Sequence, residues 1–162
     1  MILKLAEIIA TWWWVGKIRW APGTWGTLAT VPVIFLFYRL GPVAYMVGVF
    51  IVIILGIFFS DIYEKSLGKH DSSEIVIDEV AGYLIAMTWL PMTWQALTLG
   101  FFIFRFFDIL KPFPINLLDR KVGGGLGVMI DDVAAGVITN IILQAIYTKT
   151  DWLGSQFIYV NS

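Results

Sequence analysis

The stretch 127-GVMIDDVAAGVITNIILQAIYT-148 decides how this chain folds. It is long enough to be a helix that crosses a hydrocarbon layer, which takes about 20 apolar residues, yet Asp131 and Asp132 stand side by side near its start. A second acidic pair, Asp78-Glu79, lies in 75-IVIDEVAGYLIAMTWL-90, with apolar neighbours on both sides. An ionised carboxylate at the centre of a bilayer costs at least ~3 kcal/mol on insertion scales, so four near membrane depth imply a compensating cation or a wet, functional cavity.

Composition agrees with a membrane setting. The 162 residues make one domain, 59% apolar and 14% charged, with a mean hydropathy of +0.81, whereas soluble domains carry about 25% charged residues. Eight tryptophans and six tyrosines fit rings that settle at the headgroup level. The net charge of -1 and the lack of a basic stripe exclude nucleic acid as a partner. The chain has no cysteine, which removes thiol nucleophiles, thiolate metal sites and disulfides.

Outward from the two acidic segments, the apolar runs cover residues 25–38, 43–60, 75–90, 95–110 and 127–148, separated by tight breaks at Arg39-Leu40-Gly41-Pro42 and Leu90-Pro91-Met92-Thr93 and by polar stretches at 61–74 and 111–125. The runs are too long and continuous for alternating barrel strands, and unpaired strand edges cannot face lipid. The expected fold is therefore all-α: an integral membrane helical bundle over 22–148, built of tight helical hairpins, with some short spans tilted or half-inserted. Residues 1–16, MILKLAEIIATWWWVG, read as an interfacial helix, with a plain packing helix as the alternative. Pro22-Gly23-Thr24-Trp25-Gly26-Thr27 reads as a turn by composition, whose Thr24 and Thr27 would add hydrogen bonds to a phosphate.

Charge orients the bundle. Lys17, Arg19, Lys65, Lys69, Lys111, Arg120 and Lys121 fall on one side of the hairpins, and Arg39 and Lys149 on the other, so the positive-inside bias puts the polar stretches at the cytoplasmic face. Asp71, Glu74, Asp78, Glu79, Asp108, Asp119, Asp131 and Asp132 come with them, and variation is expected around Glu74, which is left out of the site. Hard divalent cations take oxygen ligands, and Mg2+ binds through a few carboxylates while keeping waters for a substrate phosphate to replace. Arg105 shares a helix face with Asp108, Lys111 follows one turn later, and such cations beside carboxylates suit phosphate binding next to a metal. His70 beside Asp71 could shuttle a proton. Structural readings stand beside these: a solvated loop histidine, an Arg105–Asp108 ion pair internal to the bundle, and Asp131-Asp132 as partners of a helix dipole.

Gly123-Gly124-Gly125-Leu126-Gly127 opens the last helix and could offer backbone N–H groups to a phosphate, but no strand precedes it, so it is no dinucleotide fingerprint. Small residues continue behind each acid pair at i, i+4 spacing, Gly82 and Ala86 after Asp78, Gly136 and Asn140 after Asp132. Such faces let helices approach closely, so the two pairs can meet across one interface. Asn140 and Gln144 are expected to make interhelical hydrogen bonds.

The segments PGTWGTLA from 22, HDSSEIVIDEVAG from 70, FRFFDILKPFPI from 104 and LDRKVGGGLGVMIDDVAAGV from 118 resemble the phosphatidylglycerophosphatase A family, in order and over residues 22 to 137. The resemblance implies a bacterial inner-membrane, multi-pass, Mg2+-dependent phosphatase that converts phosphatidylglycerophosphate to phosphatidylglycerol, with its active site facing the cytoplasm. It matches His70-Asp71, Asp78-Glu79, Arg105, Asp108, Lys111, Asp119-Arg120 and Asp131-Asp132 to the family's charged positions. The expected assignment is metal binding by Glu79, Asp108, Asp131 and Asp132, with Asp78 the less favoured member of its pair. Phosphate binding falls to Arg105, Lys111, Arg120, Thr24 and Thr27, and catalysis draws on His70, Asp71, Asp108 and the acid pairs. Attack by a metal-activated water is favoured over a covalent aspartyl-phosphate. A small proton- or ion-coupled transporter is the rival from another class, although its carboxylates should lie near the midplane between related halves. Self-association into a homo-oligomer stays open.

Overall fold

The computed structural model describes residues 1–68, 72–113, 115 and 123–154. Every regular element among them is helical: α1 (Ile2–Ala10), a 3-10 turn (Val15–Lys17), α2 (Pro22–Ala29), α3 (Val31–Leu40), α4 (Pro42–Leu67), α5 (Ile77–Ala86), α6 (Trp94–Leu110) and α7 (Gly124–Lys149).

Two helices, α4 and α7, are long and apolar enough to cross a membrane, with 26 residues each, or about 39 Å at the helical rise. Around α4 both faces are apolar. Val49, Val52, Phe59 and Tyr63 point into the protein, whereas Val43, Val47, Phe50, Ile54 and Phe58 form a stripe on the outside with Val43 77% and Ile54 64% exposed. A helix that is hydrophobic all round belongs in a core or in lipid, and half of this one has no protein over it.

The ten residues of α5 extend only about 15 Å, too short to span. Instead α5 is the central helix, with Ile77, Val80, Ala81, Tyr83, Leu84 and Ala86 all buried. It is held against α7 by an exchange of small residues: a Cβ on Gly136 would strike the backbone carbonyl of Gly82, and a Cβ on Gly82 would meet the Asp132 carbonyl oxygen at 2.6 Å. Below this crossing Asn140 donates to the carbonyls of Ala86 (3.0 Å) and Thr88 (2.9 Å), and Gln144 to Thr88 (3.1 Å). The last carbonyls of a helix lack intrahelical donors, and these two amides from α7 supply donors at the end of α5.

Three local expectations are corrected. Residues 22–27 are not a turn but the body of α2, with Pro22 at its first turn and its glycines serving close approach: a Cβ on Gly26 would come within 2.8 Å of the Val76 side chain. The run 25–38 is divided at Thr30, because Pro32 has no N–H to return to Leu28. The second run does not stop at residue 60, since α4 continues to Leu67 and ends at Gly68 with φ 62°, a left-handed stop that glycine adopts without strain. An Asp61–Lys65 pair at 2.6 Å supports this extension at i, i+4 spacing.

At the N-terminus α1 packs Ala6 and Ala10 inward and leaves Ile2, Leu3 and Leu5 exposed. The Ala10 carbonyl accepts from the Val76 N–H at 2.9 Å, and Lys17 pairs with Glu7, so this segment anchors the entry to α5.

Candidate active site

Four helices converge at one end of the bundle. The N-terminus of α5 places Asp78 and Glu79 in its first turn, and α7 carries Asp131 and Asp132. The far end of α6 supplies Arg105 and Asp108, and Lys111 follows in a left-handed conformation, φ 41°. Pro22 and Gly23 of α2 close over them, and all these residues line a cavity of about 330 Å³. Gly23 is required there: a Cβ on it would collide with the Glu79 carboxylate and stand 2.9 Å from the Arg105 guanidinium.

One carboxylate oxygen each from Asp78, Glu79 and Asp132 lies within 4.8 Å of the other two. The cations are shared out around them. Arg105 Nη1 pairs with Asp108 and sits 3.6 Å from Glu79 Oε1, while Lys111 pairs with Asp131. Among the described residues the lining thus holds five carboxylates against two cations. Among the described residues Asp78 Oδ1, Glu79 Oε2, Asp131 Oδ1 and Arg105 Nε are buried without a hydrogen-bond partner. Unsatisfied buried charge is strongly unfavourable, and it is concentrated at this one spot. A hard divalent cation that takes oxygen ligands fits both the orphaned oxygens and the excess of negative charge.

The expected residues are distributed unevenly. Asp78 joins Glu79 and Asp132 as a neighbour, whereas Asp108 and Asp131 each hold a cation. Thr27 is fully buried and its hydroxyl donates to the Gly23 carbonyl at 2.8 Å, a donor committed within its own helix. Thr24 is half-buried on α2. His70, Asp71 and Arg120 lie outside the described residues. Sequence reading did not select Ser72 and Ser73, which line the cavity; a pair of serines in a polar stretch carries no pattern that separates a wall from a loop. Glu74, left out of the site, is engaged by the Tyr63 hydroxyl at 2.7 Å. Gly125 of the glycine run packs against α4, where a Cβ would collide with the Ile57 carbonyl, and Gly127 lines the cavity.

Fold and site together define a helical protein with an apolar exterior and, at one end of the bundle, a cavity of oxygen donors flanked by guanidinium and ammonium groups. The model of the phosphatidylglycerophosphatase A family matches residues 8–147, and the chain belongs to that family. It is 38% identical to "Phosphatidylglycerophosphatase A" of Haemophilus influenzae over 147 residues, 90% of each chain. With the Escherichia coli protein of the same name it shares 43% over 126 residues, 77% of this chain and 73% of that one. A Bacteroides thetaiotaomicron protein, whose name is given provisionally as phosphatidylinositol-3-phosphatase, is 33% identical over 148 residues, 86% of this chain and 91% of that one. No solved structure matches. The transporter alternative receives no support, and the described carboxylates of the site cluster at one end of the bundle.

Proposed function

We propose that this chain removes the terminal phosphate of phosphatidylglycerophosphate, releasing phosphatidylglycerol and inorganic phosphate, with Mg2+ as cofactor and the site at the cytoplasmic face of a bacterial inner membrane. The observation that carries the reading is the trio Asp78, Glu79 and Asp132, with mutual oxygen distances within 4.8 Å, beside Arg105 and Lys111 in one cavity. Family membership supports the lipid phosphate as substrate.

The trio would hold Mg2+, with Asp108 and Asp131 next to it. When bound, the ion polarises the phosphoryl group and lowers the pKa of an attacking water. The remaining work belongs to the chain. Arg105 and Lys111 are held by Asp108 and Asp131, which fixes where their positive charge meets a dianionic phosphate. As charge spreads over the phosphoryl oxygens in the transition state, fixed cations of this kind stabilise it without reorganising. Gly23 lets the start of α2 lie over Glu79 and Arg105, narrowing access for bulk water from that side. The supply of cations at the cavity end, Lys17, Arg19, Lys65 and Lys111, against Arg39 and Lys149 at the other end, supports the cytoplasmic placement.

The test is phosphate release from short-chain phosphatidylglycerophosphate by purified protein, with Mg2+, with Mn2+ and with excess chelator. Full rate in Mg2+, partial rate in Mn2+ and none with chelator is the expected result. Undiminished turnover in chelator rejects the metal, and no turnover under any condition rejects the substrate.

A further inference from the structure

A groove with almost no polar surface runs along the bundle between α2–α3 and α6, with a volume of about 380 Å³. Leu28 and Val31 form one wall, Leu97, Thr98, Phe101 and Phe102 the other, and Tyr83 of α5 the floor. Its position relative to the candidate active site is regular. Leu28 is five residues beyond Gly23 on α2, Tyr83 four beyond Glu79 on α5, and Phe101 four before Arg105 on α6. Gly23, Glu79 and Arg105 all line the catalytic cavity, so each of three helices contributes to the groove about one turn, or roughly 6 to 7.5 Å, deeper than its contribution to the cavity. The directions agree, because α2 and α5 leave the cavity with rising residue number and α6 with falling number.

The groove is open outward, where Leu28 and Phe102 are exposed, and continues along α6 to Trp94 at its far end. Its floor is fixed: the Tyr83 hydroxyl donates to the Leu97 carbonyl at 2.7 Å and the ring lies against Phe101 and Phe104. A rigid, ready-made trough loses little entropy when filled. We propose that this groove seats one acyl chain of the lipid whose phosphate occupies the cavity, so that the enzyme binds its substrate by the tail as well as by the headgroup. The proposal rests on the lipid-phosphatase reading above. Its place about one turn beyond the cavity on α2, α5 and α6 selects this occupant: a lipid whose phosphate is held at Arg105 would carry its chains in the direction of the trough.

Two experiments test it. Thr98, whose side chain is exposed on the groove wall, is changed to Trp to fill the trough, and Leu28→Ala removes part of the opposite wall. kcat/KM is measured for long-chain and for dihexanoyl phosphatidylglycerophosphate in mixed micelles. For Thr98→Trp the long-chain value should fall at least about tenfold, the weight of roughly two methylenes left unburied, with the dihexanoyl value within about twofold of parent. Leu28→Ala should act in the same sense through KM. Equal effects on both substrates, or none on either, overturn the proposal while leaving the phosphatase reading intact; a parent inactive on both substrates rejects that reading instead. Independently of turnover, a diazirine on the acyl chain of the phosphate-bearing lipid should label the peptides around Leu28 and Phe101 in preference to the same probe on phosphatidylcholine. Equal labelling by the two lipids would mean that bulk lipid alone fills the trough.

Discussion

Adjacent positions on a helix point about 100° apart, so Asp78 and Glu79 cannot present themselves to one ion as equals from α5 alone. The third carboxylate resolves the geometry: Asp132 arrives from α7 and draws both within 4.8 Å of its own oxygen. Sequence could show that two acid pairs face each other across small residues, but not which members meet, because that depends on the rotation of α7 about its axis. The Arg105–Asp108 pair was legible from its i, i+3 spacing on α6, but the Lys111–Asp131 pair was not, since a contact between the end of α6 and α7 has no local signature. The amide variants Asp78→Asn, Glu79→Gln and Asp132→Asn should each lower phosphate release by orders of magnitude and raise the Mg2+ needed for half-maximal rate, while Asp131→Asn should act mainly on KM for the lipid by releasing Lys111. Phosphate release titrated with Mg2+ and with lipid, on protein that still purifies as a folded species, separates the two groups. Near-normal rates in all three trio variants would make these carboxylates structural.

Helices α5 and α7 meet where neither has a side chain to keep them apart. That crossing was legible, because Gly82-x-x-x-Ala86 and Gly136-x-x-x-Asn140 follow the acid pairs at helical spacing, and the amides Asn140 and Gln144 do bridge to α5 as their position suggested. Less of the remainder could be read. Hydropathy stops at Ser60, but α4 does not, because an ion pair and a buried Tyr63 carry it about two more turns. The glycines of α2 look like turn formers until the helix they approach is known. A methyl at Gly136 would press on the Gly82 carbonyl, an overpacking of the kind that costs about 1–3 kcal/mol. Gly136→Ala should therefore lower the thermal midpoint in detergent and weaken Mg2+ activation together, since Asp132 sits one turn before it on α7. Gly123→Ala is the control, because nothing lies within 4 Å of a Cβ at that position. A Gly136→Ala protein with unchanged midpoint and Mg2+ response would mean that the crossing is looser than described.

For the whole molecule the decisive property is polarity between its two ends. α4 and α7 are antiparallel, since Gly125 at the start of α7 packs beside Ile57 and Asp61 late in α4, so Lys65 and the site share one end and Arg39 and Lys149 the other. Apolar side chains cover the length between, a surface that lipid would remove from water. In the membrane setting proposed above, the site would lie at the bilayer surface, away from a midplane that penalises carboxylates, where a substrate phosphate in the headgroup layer would reach it. The absence of cysteine permits a direct check of the proposed orientation. Ser73, exposed on the cavity rim, and Asp151, exposed just beyond the end of α7, are each replaced singly by Cys. An impermeant maleimide should label Ser73→Cys only in inverted vesicles and Asp151→Cys only in right-side-out cells. Labelling of both from one side would break the antiparallel two-span arrangement. Labelling of each from the side opposite to that expected would keep the fold and turn the active site outward.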